Sequence, residues 1–154
     1  MTNIIVQMAI AYVSVWFIAI TLESPKRTLP FVSLTGALGW GVYLIGLFYM
    51  SKVTATLFAG LFIAWLSHLL ARKLKTPVTV YFIPGFIPLV PGMGVYQVVY
   101  AFIRNDYVTA QASLVETLQI SGAIALAIFF VDSVFGVLER IRAAKEREAR
   151  LKGK

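Results

Sequence analysis

The chain has 154 residues, of which 59% are hydrophobic, and its mean hydropathy is +0.81. Soluble domains are about 45–50% apolar, so this composition indicates an integral membrane protein. The absence of cysteine excludes disulfides and thiol catalysis, and the single histidine excludes a histidine-rich metal site. Half of the fourteen Lys and Arg residues follow Leu138, so the net charge of +7 reflects a basic tail rather than a nucleic-acid-binding face.

Three apolar runs at the start of the chain predict membrane-spanning helices. They cover residues 4–22, 31–50 and 53–71, each long enough for the roughly 30 Å hydrocarbon core of a bilayer. A polar turn ends at Pro30, which suits the first turn of the second helix. The second run is rich in glycine, and small residues let membrane helices pack closely. The short connection at Ser51 and Lys52 makes the second and third helices antiparallel neighbours.

The fourth apolar run, residues 78–103, could cross a bilayer but is interrupted. The interrupting residues are Pro84, Gly85, Pro88, Pro91, Gly92 and Gly94. Each proline removes a backbone donor and costs about 3 kcal/mol in a helix interior, so the pattern predicts a break. Seven helical residues before Pro84 rise about 10 Å, which places the break, residues 84–92, near the middle of the bilayer. Lipid cannot hydrogen-bond the freed carbonyls, so the break has to be wrapped in protein or line a watery cavity.

The break is also the candidate substrate site. A half-helix starting near Gly92 would present unpaired amides and a partial positive charge, which favour a carboxylate. Carbonyls released before Pro88 and Pro91 would suit a cation or an ammonium group, and Tyr96 and Gln97 could add hydrogen bonds. The predicted substrate-binding residues are therefore Pro84, Gly85, Pro88, Pro91, Gly92, Tyr96 and Gln97. The alternative is a structural kink without a ligand.

The fifth run, residues 115–138, contains Asp132, an ionisable group within a span and therefore a functional candidate by default. Asp132 could bind a proton or the ammonium group of an amino acid. Alternatively, it is a structural partner for a hydroxyl or for an arginine of another subunit. Glu116 lies close enough to the outer interface to be solvated. His68, one turn before Arg72, fits a hydrated interfacial histidine better than a proton relay.

The basic residues predict the orientation of the chain. With five crossings, twelve of the fourteen Lys and Arg residues fall on one side of the membrane, which places the N-terminus outside and the C-terminus in the cytoplasm. A re-entrant hairpin at 78–103 would remove this bias, so we prefer five full crossings. The predicted architecture is an all-α polytopic membrane protein with one five-helix transmembrane domain, residues 1–138. A charged cytoplasmic helical tail follows, residues 139–154.

Several motifs resemble those of the threonine/serine exporter-like family. Pro-Leu-Val-Pro-Gly-Met-Gly-Val-Tyr, residues 88–96, resembles the family's Ile-Pro-Leu-Val-Pro-Gly-x-x-x-Tyr signature. Pro-Lys-Arg-Thr-Leu, residues 25–29, resembles the Pro-x-Arg-x-Leu turn that follows the family's first helix. Arg-Lys-Leu-Lys-Thr-Pro, residues 72–77, also fits the position before the broken helix. The resemblance covers residues 8–138, and the charged tail beyond it has no counterpart.

The resemblance implies a multi-pass protein of the cell membrane (plasma or inner) that exports small carboxylate-bearing metabolites such as threonine, serine or succinate. The family includes fused ten-helix proteins and split pairs. This chain is similar to the C-terminal half of the fused form and to the small five-helix subunit of the split succinate exporter. The expected partner is a larger five-helix subunit with a cytosolic domain. Met1 and the compact length favour a separate subunit over a fragment of a fused chain.

Other functions remain open at this stage. A homo-oligomeric channel or pore could be lined by the broken helices, and a non-transporting membrane scaffold could recruit a partner through the tail. Homo-oligomers are compatible with each of these. We recognise no nucleophile–histidine–acid set, phosphate loop or metal cluster, so we expect no enzyme, no cofactor and no metal site. The bilayer is an expected partner, and nucleic acid is not.

Overall fold

A computed structural model describes residues 3–152 of the chain. Its helices, in chain order, are α1 (Ile4–Thr21), α2 (Leu29–Gly46), α3 (Lys52–Leu74), α4 (Thr79–Phe86), α5 (Gly92–Ile103) and α6 (Tyr107–Lys152), with a short 3-10 helix (Ile87–Leu89) after α4. Across the described residues there is no β-strand. Four helices are long and apolar enough to cross a membrane, and α4 with α5 forms a fifth span if this bent pair is counted as one. The predicted helical membrane fold is therefore confirmed, with four or five candidate spans.

The second helix, α2, lies between α1 and α3 and packs against both through small residues. Gly36 faces Val15 of α1, and Gly39 faces Ile63 of α3. A Cβ atom added to these glycines would lie 2.6 and 2.3 Å from the facing side chains. Such close approach increases van der Waals contact, which is a main source of association between helices in lipid. The glycine-rich second run is thus a packing surface, as the sequence indicates.

The fourth apolar run is broken, but later than the sequence predicts. Pro84 and Gly85 lie inside α4, and Gly85 packs against Ile63 near the middle of α3. Because α4 has only eight residues, Pro84 removes a single backbone bond to its first turn. The break itself comprises the 3-10 helix and an extended residue, Val90, and the chain bends by 46° before α5 begins.

The contacts of the break show where it lies along the bundle. Phe86 lies near Gly60, in the middle third of α3, whereas Pro91 lines the same pocket as Lys52, the first residue of α3. The interrupted segment therefore extends from the middle of the bundle to the end where α3 starts. A 3-10 helix and an extended residue advance further per residue than an α-helix, so few residues cover this distance.

α3 and α6 run parallel to each other. Lys52 contacts Glu116, and His68 contacts Asp132, with 64 residues between the partners in both pairs. Partners in antiparallel helices would instead have a constant sum of residue numbers. The chain therefore crosses the bundle once between the end of α3 and the start of α6. This arrangement agrees with an interrupted crossing and not with a hairpin that returns to its own side.

α6 is a single helix of 46 residues and begins earlier than expected. The fifth apolar run is expected to start at residue 115, but the loop before Tyr107 has three residues and α6 starts there. Asn105 adopts a positive φ of 58°, and the Asp106 carboxylate accepts a hydrogen bond from the Thr109 backbone N–H at 3.1 Å. Such an N-cap starts a helix whether or not the following residues are apolar. At its other end α6 includes the predicted tail as far as Lys152, and residues 153–154 lie outside the described part.

α5 packs less closely than α1 to α4. It packs chiefly against α6, and Ala101 is its buried residue. Several large side chains of α5 are largely exposed, including Met93, Tyr96 and Ile103. The helix is thus held by the bend at one end and by α6 along its length, whereas α1 to α4 form a closely packed group.

Candidate functional site

A pocket of about 250 Å³ lies where α5 starts and where α3 and α6 come together. Its lining includes backbone and side chains of α5 and polar side chains from three other helices. These residues are Tyr43, Lys52, Pro91, Met93, Gly94, Gln97, Ser113, Glu116, Thr117 and Ile120. We call this the ion-pair pocket, because Lys52 and Glu116 form an ion pair across it. Polar groups converging on a concave site are typical of small-molecule binding.

The first turn of α5 contributes unpaired amides to the ion-pair pocket. The Gly92 N–H bonds to the Val90 carbonyl at 2.8 Å, and the Val95 N–H bonds to the Pro91 carbonyl at 3.1 Å. The N–H groups of Met93 and Gly94, which lie between them, belong to the first turn of α5 and therefore have no acceptor within that helix. The positive end of a helix dipole coincides with these free donors, so a carboxylate is the complementary group.

Thr117 of α6 lies beneath this turn. Its side chain is 8% exposed, and its hydroxyl has no hydrogen-bond partner among the described residues. A Cβ atom added to Gly94 would lie 2.4 Å from that hydroxyl oxygen, so only glycine allows α5 to approach Thr117 this closely. A buried hydroxyl without a partner is uncommon and costs about 1–3 kcal/mol. The arrangement leaves one hydrogen-bonding group free at the base of the pocket.

The ion pair at the rim joins Lys52 Nζ to Glu116 Oε1 at 2.8 Å. The two side chains are 62% and 47% exposed, so their mutual attraction is weak, about 0–1 kcal/mol. Opening the pair to admit another charged molecule would therefore cost little. The pocket combines one cation, one anion and an electropositive helix end.

The predicted substrate-binding residues are not all brought together. Pro91 and Gln97 line the ion-pair pocket. Pro84 and Gly85 are buried in the packed core, and Pro88 lines a separate, mostly apolar cleft against α1 and α2. Gly92 is exposed with nothing within 4 Å of an added Cβ, and Tyr96 stacks on Tyr100 outside the ion-pair pocket. The glycine that packs closely against a neighbouring helix is Gly94 and not Gly92.

The carbonyls expected to be free at the break already accept hydrogen bonds. The Pro84 carbonyl accepts from the Ile87 N–H, and the Ile87 carbonyl accepts from the Val90 N–H at 3.1 Å. Tightening of the chain into a 3-10 helix supplies these donors in place of those that Pro88 and Pro91 lack. The expected cation site on released carbonyls is therefore not formed in this conformation, whereas the expected free amides are present.

Asp132 lies far from the ion-pair pocket. Fifteen helical residues separate it from Thr117, which is about 22 Å along α6. Its carboxylate contacts His68 Nε2 of α3 at 2.6 Å. The sequence singles out both residues but does not pair them. Neither a hydroxyl nor an arginine of another subunit is needed to account for Asp132, because His68 of the same chain is its partner.

His68 belongs to a larger group of stacked side chains. Its ring stacks on Phe135 with 4.3 Å between centroids and an interplanar angle of 4°, and the Arg72 guanidinium lies over Phe135 at 4.6 Å. Arg72 also bonds to Glu139 at 3.0 Å. We call these five residues of α3 and α6 the stacked cluster. Every charged group in it has a partner, unlike the free amides and hydroxyl of the ion-pair pocket.

Eight of the ten pocket residues are absent from the substrate-binding set predicted from the sequence: Tyr43, Lys52, Met93, Gly94, Ser113, Glu116, Thr117 and Ile120. One signal was available for the ion pair, since Lys52 and Glu116 lie at the same predicted side of the membrane and carry opposite charges. No comparable signal marks Thr117, whose role depends on its contact with Gly94. Among the residues whose side chains the structure describes, no group of three or more His, Asp or Glu residues is placed to hold a metal ion.

Comparison with known proteins gives concordant matches. A family model described as threonine/serine exporter, ThrE, matches residues 7–134. The threonine/serine exporter of Corynebacterium glutamicum is 24% identical over 107 residues, which are 70% of this chain and 22% of that protein. The probable threonine/serine exporter of Mycobacterium tuberculosis is 29% identical over 112 residues, 72% of this chain and 21% of that protein. This chain thus spans about a fifth of the length of the curated relatives it matches. No solved structure matches it significantly.

Proposed function

Because this chain belongs to the threonine/serine exporter family, we propose that it is a membrane component of a secondary exporter of small carboxylate-bearing metabolites. Threonine and serine are the first candidates, since the matched relatives are named for them, and a dicarboxylate such as succinate is the other. In this proposal the chain crosses the cell membrane five times, with its N-terminus outside and its C-terminus in the cytoplasm. It acts as an exporter subunit and not as an enzyme.

The observation that carries the proposal is the interrupted helix between α4 and α5. Transporters place substrate sites where a broken helix presents its dipole and its unpaired backbone groups. Here the break ends at the ion-pair pocket, with two free amides from Met93 and Gly94 above the unpartnered Thr117 hydroxyl. The coincidence of these two features in one polar pocket supports a ligand site over a purely structural kink.

A second subunit completes the proposed exporter. The curated relatives are about five times as long as the stretch that matches this chain, which supports a transporter with further membrane segments. A larger five-helix subunit with a cytosolic domain is the proposed partner. The exposed apolar side chains of α5 are compatible with such a partner, because α5 packs chiefly against α6 within this chain.

Asp132 keeps the role proposed from the sequence, as a proton or ammonium site, with His68 now included. A carboxylate and an imidazole at 2.6 Å can share and pass a proton. Because this pair lies about 22 Å from the ion-pair pocket, it would act on coupling and not on substrate contact.

Export of labelled threonine and succinate from cells lacking endogenous exporters tests the proposal. The chain should be expressed alone and together with its genomic neighbour. We expect export only with the neighbour. Export by the chain alone, insensitive to the proton gradient, would favour a homo-oligomeric channel. No export of either compound, with both proteins in the membrane, would contradict an exporter of these metabolites and favour a scaffold.

A further inference from the structure

We propose that the ion-pair pocket is a subsite for a zwitterion, in which Lys52 and Glu116 exchange their mutual ion pair for the two charges of an α-amino acid. This inference rests on the proposed function and specifies its site. The substrate carboxylate binds Lys52 and the free amides of Met93 and Gly94, and the substrate ammonium binds Glu116. The Thr117 hydroxyl at the base of the pocket supplies a further hydrogen bond.

The charges of the ion-pair pocket match a zwitterion. Lys52 and Glu116 cancel each other, and the α5 N-terminus adds about half a positive charge. A molecule that carries one negative and one positive group finds a partner for each. The weak, exposed Lys52–Glu116 contact is replaced by two new charge-assisted contacts, which are stronger than neutral hydrogen bonds.

The same charges disfavour a dicarboxylate. Succinate carries two negative groups, so if one carboxylate binds Lys52 and the α5 amides, the other is repelled by Glu116 nearby. Specificity of this kind needs a repulsive element as well as an attractive one. Glu116 provides both, because it attracts the ammonium of an amino acid and repels the second carboxylate of a dicarboxylate. We therefore infer that Glu116 determines the selectivity for an amino acid over a dicarboxylate.

The buried hydroxyl of Thr117 distinguishes the pocket from an ordinary exposed ion pair. Its hydroxyl is buried, faces the first turn of α5, and lacks a partner among the described residues. A small movement of α5 about the bend at Val90 and Pro91 would uncover it, because α5 is held chiefly by α6. A ligand that bonds to this hydroxyl would remove the cost of leaving it unpaired.

The test uses threonine and succinate export by the chain co-expressed with its genomic neighbour. Glu116→Gln should raise the KM for threonine at least about tenfold, as expected for one lost charge-assisted contact, and leave succinate export unchanged or increased. Glu139→Gln is the matched control. It breaks an exposed ion pair between the same two helices at the opposite end, and it should leave both KM values unchanged.

A charge swap separates binding from a purely structural ion pair. Lys52→Glu combined with Glu116→Lys keeps the pair but exchanges the positions of its two charges, so the proposed partners of the substrate carboxylate and ammonium are reversed. We expect this double variant to reach the membrane at the wild-type level and yet to transport threonine poorly. Thr117→Val should also raise the threonine KM, and Thr117→Ser should restore it.

The outcomes distinguish this inference from the proposed function. If the wild type exports threonine but Glu116→Gln leaves both its KM and the preference over succinate unchanged, the zwitterion subsite is wrong and the exporter stands. Full transport by the charge-swapped variant would likewise overturn the subsite, because the pair would then be structural. If the wild type exports neither compound, both proposals fail.

Discussion

The two ends of the α3–α6 contact carry similar charged residues, but they differ in whether the neighbouring polar groups have hydrogen-bond partners. At the stacked cluster, His68 and Arg72 stack on Phe135 and pair with Asp132 and Glu139, so each charge has a partner. At the ion-pair pocket, the Lys52–Glu116 pair lies beside two free amides and a buried, unpartnered hydroxyl. A satisfied group stabilises the contact between the helices. The buried hydroxyls of Ser33 and Ser67 also lack a partner in the described part of the chain, so an unpartnered hydroxyl alone does not mark a site. We propose substrate binding at the pocket because there such a hydroxyl coincides with a helix N-terminus and an exposed ion pair.

The change expected to have the largest effect is Gly94→Val. The added Cβ would meet the Thr117 hydroxyl oxygen at 2.4 Å, so α5 must move away and the base of the pocket is disrupted. We expect threonine export to fall by more than about tenfold, equivalent to at least about 1.4 kcal/mol, with the protein still in the membrane. Initial export rates and the amount of protein in isolated membranes measure both effects.

Gly122→Val is the control for Gly94→Val. Gly122 lies on α6, and nothing lies within 4 Å of a Cβ added there, so the same substitution should have little effect. Equal loss of export in both variants would indicate a general cost of valine in these helices. In that case the loss of export in Gly94→Val could not be attributed to the pocket.

The stacked cluster should respond in stability rather than in substrate affinity. His68→Phe, Asp132→Leu and the double variant form a cycle, and thermal unfolding in detergent should show a coupling of about 1 kcal/mol, as for residues in direct contact. The KM for threonine should stay the same, because the cluster lies about 22 Å from the pocket. Loss of proton-driven export in Asp132→Leu at an unchanged threonine KM would support the coupling role proposed for Asp132 and His68, whereas unchanged export would leave the pair a structural contact only.

The smallest effect concerns the cap of α6, at the end of the molecule beyond the pocket. Hydrogen bonding by the Thr109 side chain and its backbone N–H lowers the pKa of Asp106 from its ordinary value. A lowered folded-state pKa means that the stabilisation is present above the ordinary aspartate pKa and is lost as pH falls through the folded value. Asp106→Asn should therefore lower the unfolding temperature slightly at neutral pH, and the difference should disappear in acid.

Thermal unfolding of the wild type and the Asp106→Asn variant between neutral pH and about pH 3 checks this dependence, since ordinary aspartates titrate near pH 4. A difference that grows as the solution becomes more acidic would contradict the assigned cause. Threonine KM should not change in this variant, which separates the cap from the ion-pair pocket.

The sequence predicts the elements of the fold better than their pairing. Apolar length and the glycine pattern predict the helices and the packing of α2, because both depend on neighbours within the same helix. The prolines predict a break, and two of the predicted substrate-binding residues, Pro91 and Gln97, line the ion-pair pocket. The start of the break is misplaced, because Pro84 can remain inside a helix as short as α4 when the core packs around it.

The pocket itself depends on contacts between distant residues, which no local pattern reveals. Lys52 and Glu116 are 64 residues apart, and Thr117 becomes significant only because Gly94 lies against it. His68 and Asp132 each attract notice in the sequence, but their 2.6 Å contact requires the parallel arrangement of α3 and α6. Some candidate residues could thus be named from the sequence, whereas their grouping at the two ends of the α3–α6 contact could not be predicted.

The equal spacing of the two α3–α6 pairs restricts how the protein can change shape. Lys52–Glu116 and His68–Asp132 are both 64 residues apart, so sliding α6 past α3 by one turn would separate both pairs at once. One turn is about 5.4 Å, too far for either contact to survive. A piston-like motion of α6 is therefore resisted at two points along its length. In the proposed exporter, access to the pocket should alternate instead by a swing of the short α5 about the bend that precedes it, while α3 and α6 stay in register.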